Sequence, residues 1–129
     1  MTKAAEDAKR KYRKLTDREI LELVRSGRFQ VCVDSQNVYS TPRQGVRRPI
    51  LPRPDKEGYL HVRLYHANAR KSISLGRLIF MVHHNRLIKR GMDIDHFPDR
   101  TYTNNHPDNL RERPFAENRA DILREYGEF

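Results

Sequence analysis

Apolar and polar residues alternate in two short runs, and that alternation limits the chain to small, half-buried sheets. Phe29, Val31 and Val33 are separated by Gln30 and Cys32. The run from Gly58 to Tyr65 alternates in the same way. A period of two sends successive side chains to opposite faces, so each run reads as a strand with one face on a core. Asp34-Ser35-Gln36-Asn37 predicts a turn and Val38-Tyr39-Ser40 a return strand. Ala67-Asn68-Ala69 turns the second run into a partner strand over Lys71–Leu75. Between the two pairs, residues 41–57 hold Pro42, Pro49, Pro52 and Pro54, which predicts an extended segment poor in ladder hydrogen bonds.

Helices fit around these strands. Thr16 with Glu19 three residues later is a capping box, followed by the apolar stripe Ile20, Leu23, Val24 and a stop at Ser26-Gly27. Residues 76–85 carry Leu78, Ile79, Met81 and Val82, which predicts a helix packed on the sheet. Met92–Phe97 reads as a short strand, Pro98–Asp108 as a polar loop and Asn109–Arg113 as a second strand. Pro114 suits the first position of a last helix. The fold class expected is α+β: a small antiparallel sheet with a helix, then a strand-loop-strand-helix unit. The divisions expected are a basic flexible arm over 1–15, a helix and basic sheet over 16–90, and the C-terminal unit over 91–129, in one compact domain.

Charge separates these parts. The chain has 129 residues and a net charge of +9. Residues 40–90 carry twelve Lys or Arg against two Asp or Glu, whereas residues 91–129 carry five against nine. A basic middle of that size fits neutralisation of phosphates. The acidic tail is where a bound cation would offset charge. Cys32 is the only cysteine, which excludes an internal disulfide framework and a multi-cysteine zinc site and fits a reducing cytoplasm. No window is apolar for long enough to span a bilayer, and Met1–Lys14 is too charged for a secretory signal.

Within the acidic tail, Asp95-His96 is followed by Asn104-Asn105, Asn109-Leu110 and Glu117-Asn118. Asp95 and His96 leave their strand on opposite faces. With Asn118 on a helix packed across both strands, two oxygens could meet one hard cation such as Mg²⁺ or Mn²⁺. A neutral imidazole at His96 can take a proton from water beside a phosphate. Asn104 and Asn105 suit the pinning of a loop backbone.

This order of residues resembles the HNH family of nucleases, with its ββα-metal fold. The interval from Asn109 to Asn118, nine, is as usual, and that from His96 to Asn109, thirteen, is one longer than common, which places an extra residue in the loop. The resemblance implies His96 as general base, Asp95 and Asn118 as metal ligands, and Asn109 as the asparagine that braces the loop and orients the histidine. Val33–Ser40 and Gly58–Leu64 resemble the opening hairpin and central strand of phage-type homing HNH endonucleases. Arg77-Leu78 matches the His-Arg-Leu that begins their helix, with Gly76 in place of the His. The implied activity is metal-dependent hydrolysis of DNA phosphodiesters by nicking or double-strand cutting, on double-stranded DNA, by a monomer or weak dimer. Arg43, Arg47, Arg48, Arg53, Arg63, Lys71 and Arg77 are the residues expected to grip the duplex. Two other classes fit the charge. One is a non-catalytic DNA-binding module. The other is an RNA-binding protein, for which only Tyr39, Tyr59 and Tyr65 supply stacking surfaces in the basic region.

Overall fold

Thr16 starts the first helix as its spacing predicts. Its hydroxyl accepts from the Glu19 amide at 3.1 Å, and the Glu19 carboxylate accepts from the Thr16 amide at 3.2 Å. Arg13 clamps the same carboxylate with two hydrogen bonds of 2.8 Å. That guanidinium, with the Thr16 bonds, draws the Glu19 pKa down to about 2. The computed structural model describes residues 11–42 and 45–117. Its elements run β1 (Arg13–Lys14), α1 (Asp17–Arg25), β2 (Phe29–Cys32), β3 (Asn37–Ser40), β4 (Arg48–Ile50), β5 (Arg53–Pro54), β6 (Leu60–His66), β7 (Ala69–Ser74), α2 (Leu75–His84), β8 (Met92–His96), a 3₁₀ turn (Pro107–Asn109) and β9 (Leu110–Pro114).

The fold is α+β, with few helices and small sheets. One sheet has the order β1-β7-β6-β5, a second β2-β3-β4, and β8 and β9 form a two-stranded ribbon. All pairings are antiparallel except β1 with β7, which is parallel. The proline-rich stretch contributes two brief strands, β4 and β5, in different sheets. The basic arm expected over residues 1–15 falls within the described residues only from Lys11. There the chain is tied down: Arg13 and Lys14 pair with Ala69 and Arg70, and Leu15 is buried. No described helix is long and apolar enough to cross a membrane.

Helix α2 is the hub. Its residues Leu75, Leu78, Ile79, Phe80 and Met81 are buried. It packs on α1, on β6 and β7, and on both strands of the ribbon. Ile94 and Leu110 carry the ribbon into the same core as Val62, Leu64 and Ile73. Asn85 ends the helix in the left-handed region at φ 52°, a conformation asparagine tolerates. Arg25 from α1 donates to the Asn85 side chain at 2.8 Å and to its carbonyl at 3.0 Å, which locks the two helices at that end.

Two residues expected to grip nucleic acid also serve this packing. Lys71 shares its face of β7 with the buried Ala69 and Ile73. From there its ammonium reaches Asp17 at 2.7 Å, and Arg77 reaches the other oxygen of Asp17 at 3.2 Å. Burial pushes the Asp17 pKa up, but the two cations outweigh it and the net shift is down. A depressed folded-state value means this cluster stabilises the fold above the unfolded carboxylate value of roughly 3.9 and loses that contribution as pH falls through the folded value. Asp17→Asn is therefore expected to lower stability at neutral pH by about 1 kcal/mol, or roughly 4 °C in the melting midpoint. It should also flatten the fall of the midpoint on acidification below about pH 4. Thermal melts of both proteins across that range check this. A variant that keeps the wild-type slope removes Asp17 from the acid response.

Candidate active site

Alternation along β8 divides its last two residues as expected. In the ribbon register Asp95 lies opposite Arg111, and His96 opposite Leu110. His96 turns toward α2 and the large sheet. It is 6% exposed and lines a cleft of about 280 Å³ with Tyr59, His61, Arg77, Asp93 and Asn105. The rings of Tyr59 and Tyr102 stack at 3.9 Å and 15°, and each lies about 6 Å from the imidazole (6.0 and 5.9 Å). Burial raises the Tyr59 phenol well above its usual range, and its bond to Tyr102 adds to the shift. Tyr59 therefore enters the site as a neutral wall, with the Tyr102 ring stacked on it. Their part in it was not legible, because Tyr59 comes from the start of β6 and Tyr102 from the loop.

The loop after β8 is held by asparagines. Asn109 accepts from the Asp99 amide at 2.9 Å and donates to the carbonyls of Asp99 at 2.8 Å and Asn104 at 3.1 Å. It closes the loop on itself. Asn104 donates to the Asp99 carboxylate at 3.0 Å. That bond, with those from Thr101, holds the Asp99 carboxyl below the ordinary range. His106 caps the 3₁₀ turn by accepting from the Asp108 amide at 3.1 Å, so it is a structural residue.

The contact to the histidine comes from a different asparagine. Asn105, expected only to pin the loop backbone, places its Oδ1 2.8 Å from His96 Nε2. Asn109 makes no side-chain bond to His96. Gly76 also belongs to the site. A Cβ built there would lie 2.9 Å from Asn105 Oδ1 and 3.8 Å from His96 Cε1. The exchange of the resembled family's His for Gly at this position is therefore not neutral. It lets α2 pass directly behind the histidine and its partner.

Asp95 sits on the other face of the ribbon. It is 4% exposed, and both of its oxygens are taken. Arg100 donates to Oδ1 at 2.6 Å, Arg111 donates to Oδ2 at 2.8 Å, and Arg113 lies 3.7 Å from Oδ2. Asn118 lies outside the described residues. Among the described residues no group of three or more His, Cys, Asp or Glu is gathered to hold a metal. As they stand, these residues do not fit a divalent cation at Asp95. Each of its oxygens already accepts from an arginine, and three guanidinium groups oppose a further positive charge.

The basic residues divide by strand parity. Arg63 is exposed on β6, opposite Ser72, with Tyr65 opposite Arg70 on the same outward face. Arg53 on β5 pairs with His61 and borders a surface recess with Arg63. Arg70, absent from the expected set, stands 4.8 Å over the Tyr12 ring, which meets Tyr65 edge-on. Arg47 lies 3.8 Å over the Tyr39 ring and bonds Gln30 at 2.9 Å, while Arg48 is exposed on β4. Arg43 lies outside the described residues.

No protein-family model matches this chain, and no curated protein matches it significantly. One solved structure does resemble it, a study of DNA binding and cleavage by the HNH homing endonuclease I-HmuI. The TM-score is 0.62 at 23% sequence identity, over 80% of this chain and 55% of that one. The fold is of HNH type. The chain spans about 55% of the length of that HNH relative, and at this identity the likeness concerns architecture. The likeness therefore extends to the arrangement of strands and helices and not to individual site residues.

Proposed function

We propose that this chain is an HNH endonuclease that hydrolyses DNA phosphodiester bonds, of the phage homing kind. The observation that carries the proposal is His96 itself. It is a nearly buried imidazole fixed at one nitrogen by Asn105, facing a cleft beside a basic sheet, on a fold shared with an HNH homing endonuclease. In this reading Arg47, Arg48, Arg53 and Arg63 hold the duplex backbone. His96 takes a proton from water as its oxygen adds to phosphorus. The 3′ oxygen departs and gains a proton from solvent, leaving a 5′ phosphate and a 3′ hydroxyl. One such site cuts one strand. Dependence on Mg²⁺ or a similar hard cation is part of the proposal, and cation binding at Asp95 would require Arg100 and Arg111 to release its carboxylate.

Conversion of supercoiled plasmid to the nicked form tests this. Wild type is expected to nick with Mg²⁺ or Mn²⁺, and His96→Ala to lose about 10²–10⁴-fold in rate while still shifting duplex DNA in a gel. Equal cutting by the variant removes His96 from the mechanism. The pairing of Asp95 with three arginines favours a second reading, a DNA-binding module without catalysis. Salt-sensitive duplex binding with no nicking by the wild type under either metal would select it.

A further inference from the structure

Among the described residues Asn105 is the one side chain that hydrogen-bonds the His96 imidazole, and we infer that it decides which imidazole nitrogen is left to act as the base. The inference rests on the reading of His96 as a base, but its physical core does not.

The Asn105 amide has an assigned direction. Its Nδ2 lies 3.3 Å from the Tyr102 carbonyl oxygen, which can only accept. The amino end of the amide must therefore face Tyr102, and Oδ1 faces His96 Nε2 at 2.8 Å. Oδ1 carries no hydrogen, so Nε2 must be the donor. A neutral imidazole has one N–H. With that proton on Nε2, Nδ1 holds the lone pair. No other hydrogen-bond partner meets the His96 ring among the described residues.

Two further contacts and its burial keep Asn105 in place. Its backbone amide donates to Gln36 Oε1 at 2.9 Å, so the β2–β3 turn is fastened to it. Gly76 closes off the other side, with room for no side-chain atom against Oδ1. Asn105 is itself 2% exposed, so water does not compete for the bond. Asn105 is thus a positioning residue, acting on the reaction through the tautomer and the ring angle of His96.

The test is ¹⁵N NMR of histidine-labelled protein, with single-turnover nicking measured on the same samples. In wild type His96 is expected to show a protonated Nε2 and a bare Nδ1 in its neutral form. Asn105→Asp keeps an acceptor oxygen and is expected to keep that tautomer. Asn105→Leu has similar shape without the acceptor, and is expected to give a mixture of tautomers. Its nicking rate should be lower by about 100-fold or more at unchanged duplex affinity. A wild-type spectrum with the proton on Nδ1 overturns the inference, and that measurement needs no variant. An unchanged tautomer in a folded Asn105→Leu overturns it as well. If wild type shows the expected tautomer but never nicks DNA, the control of the tautomer by Asn105 stands and the nuclease reading falls.

Discussion

Asp95→Ala is expected to cost about 3 kcal/mol of folding stability, before any chemistry is measured. The carboxylate is nearly buried and neutralises Arg100 and Arg111, with Arg113 close by. Removing it leaves like charges crowded on one face of the ribbon without the carboxylate to which Arg100 and Arg111 both donate. The figure sits at the lower end for breaking a buried ion pair, because the three arginines keep 24%, 37% and 17% of their side-chain surface in water. Urea unfolding reads the effect directly. A loss under about 0.5 kcal/mol, the range of ordinary surface substitutions, would show that the arginines do not depend on Asp95. The same measurement guards against a false conclusion. An Asp95 variant that fails to cut DNA through partial unfolding says nothing about metal binding.

Gly76→Ala is expected to act in the opposite manner, sparing the fold and crippling the site. Inside a helix, exchange of Gly for Ala usually gains roughly 0.5–1 kcal/mol. Here the new Cβ would meet Asn105 Oδ1 at 2.9 Å and Leu110 Cδ2 at 3.6 Å. The asparagine tip cannot retreat without releasing His96 Nε2 or the Tyr102 carbonyl. Displacements of about 1 Å in a catalytic constellation cost on the order of 10²-fold in rate. Nicking should therefore fall by about that factor while the melting midpoint moves by only a few degrees. Wild-type activity in the alanine variant would show that the loop relaxes freely, and that the bond between Asn105 and His96 has little bearing on turnover.

Features set by near neighbours in the chain were legible. The Thr16–Glu19 box depends on a spacing of three, and both of its bonds form. The β2–β3 and β6–β7 pairs follow from alternation and short turns. The placement of Asp95 and His96 on opposite faces needed only the pleat. Features that depend on a partner far along the chain were hidden. Asp17 captures Lys71 and Arg77 across 54 and 60 residues, a pairing that charge counting does not reveal. Parity could have separated Lys71 from Arg70, since Ala69 and Ile73 already mark the inward face of β7. The choice of Asn105 over Asn109 as partner of the histidine turns on loop geometry that no spacing encodes. The arginines around Asp95 follow from the β8–β9 register and from the path of the loop.

The bond from the Asn105 amide to Gln36 spans 69 positions, and it bears on how such a motif could travel between proteins. A cassette cut at Gly91 would carry the imidazole and its loop. It would leave behind the glutamine that fastens the loop, one of the two tyrosines that wall the ring and the glycine that makes room for both. Transplanted onto another scaffold, the short sequence signature would arrive without its supports, so the smallest inheritable unit of this centre reaches back to the first hairpin.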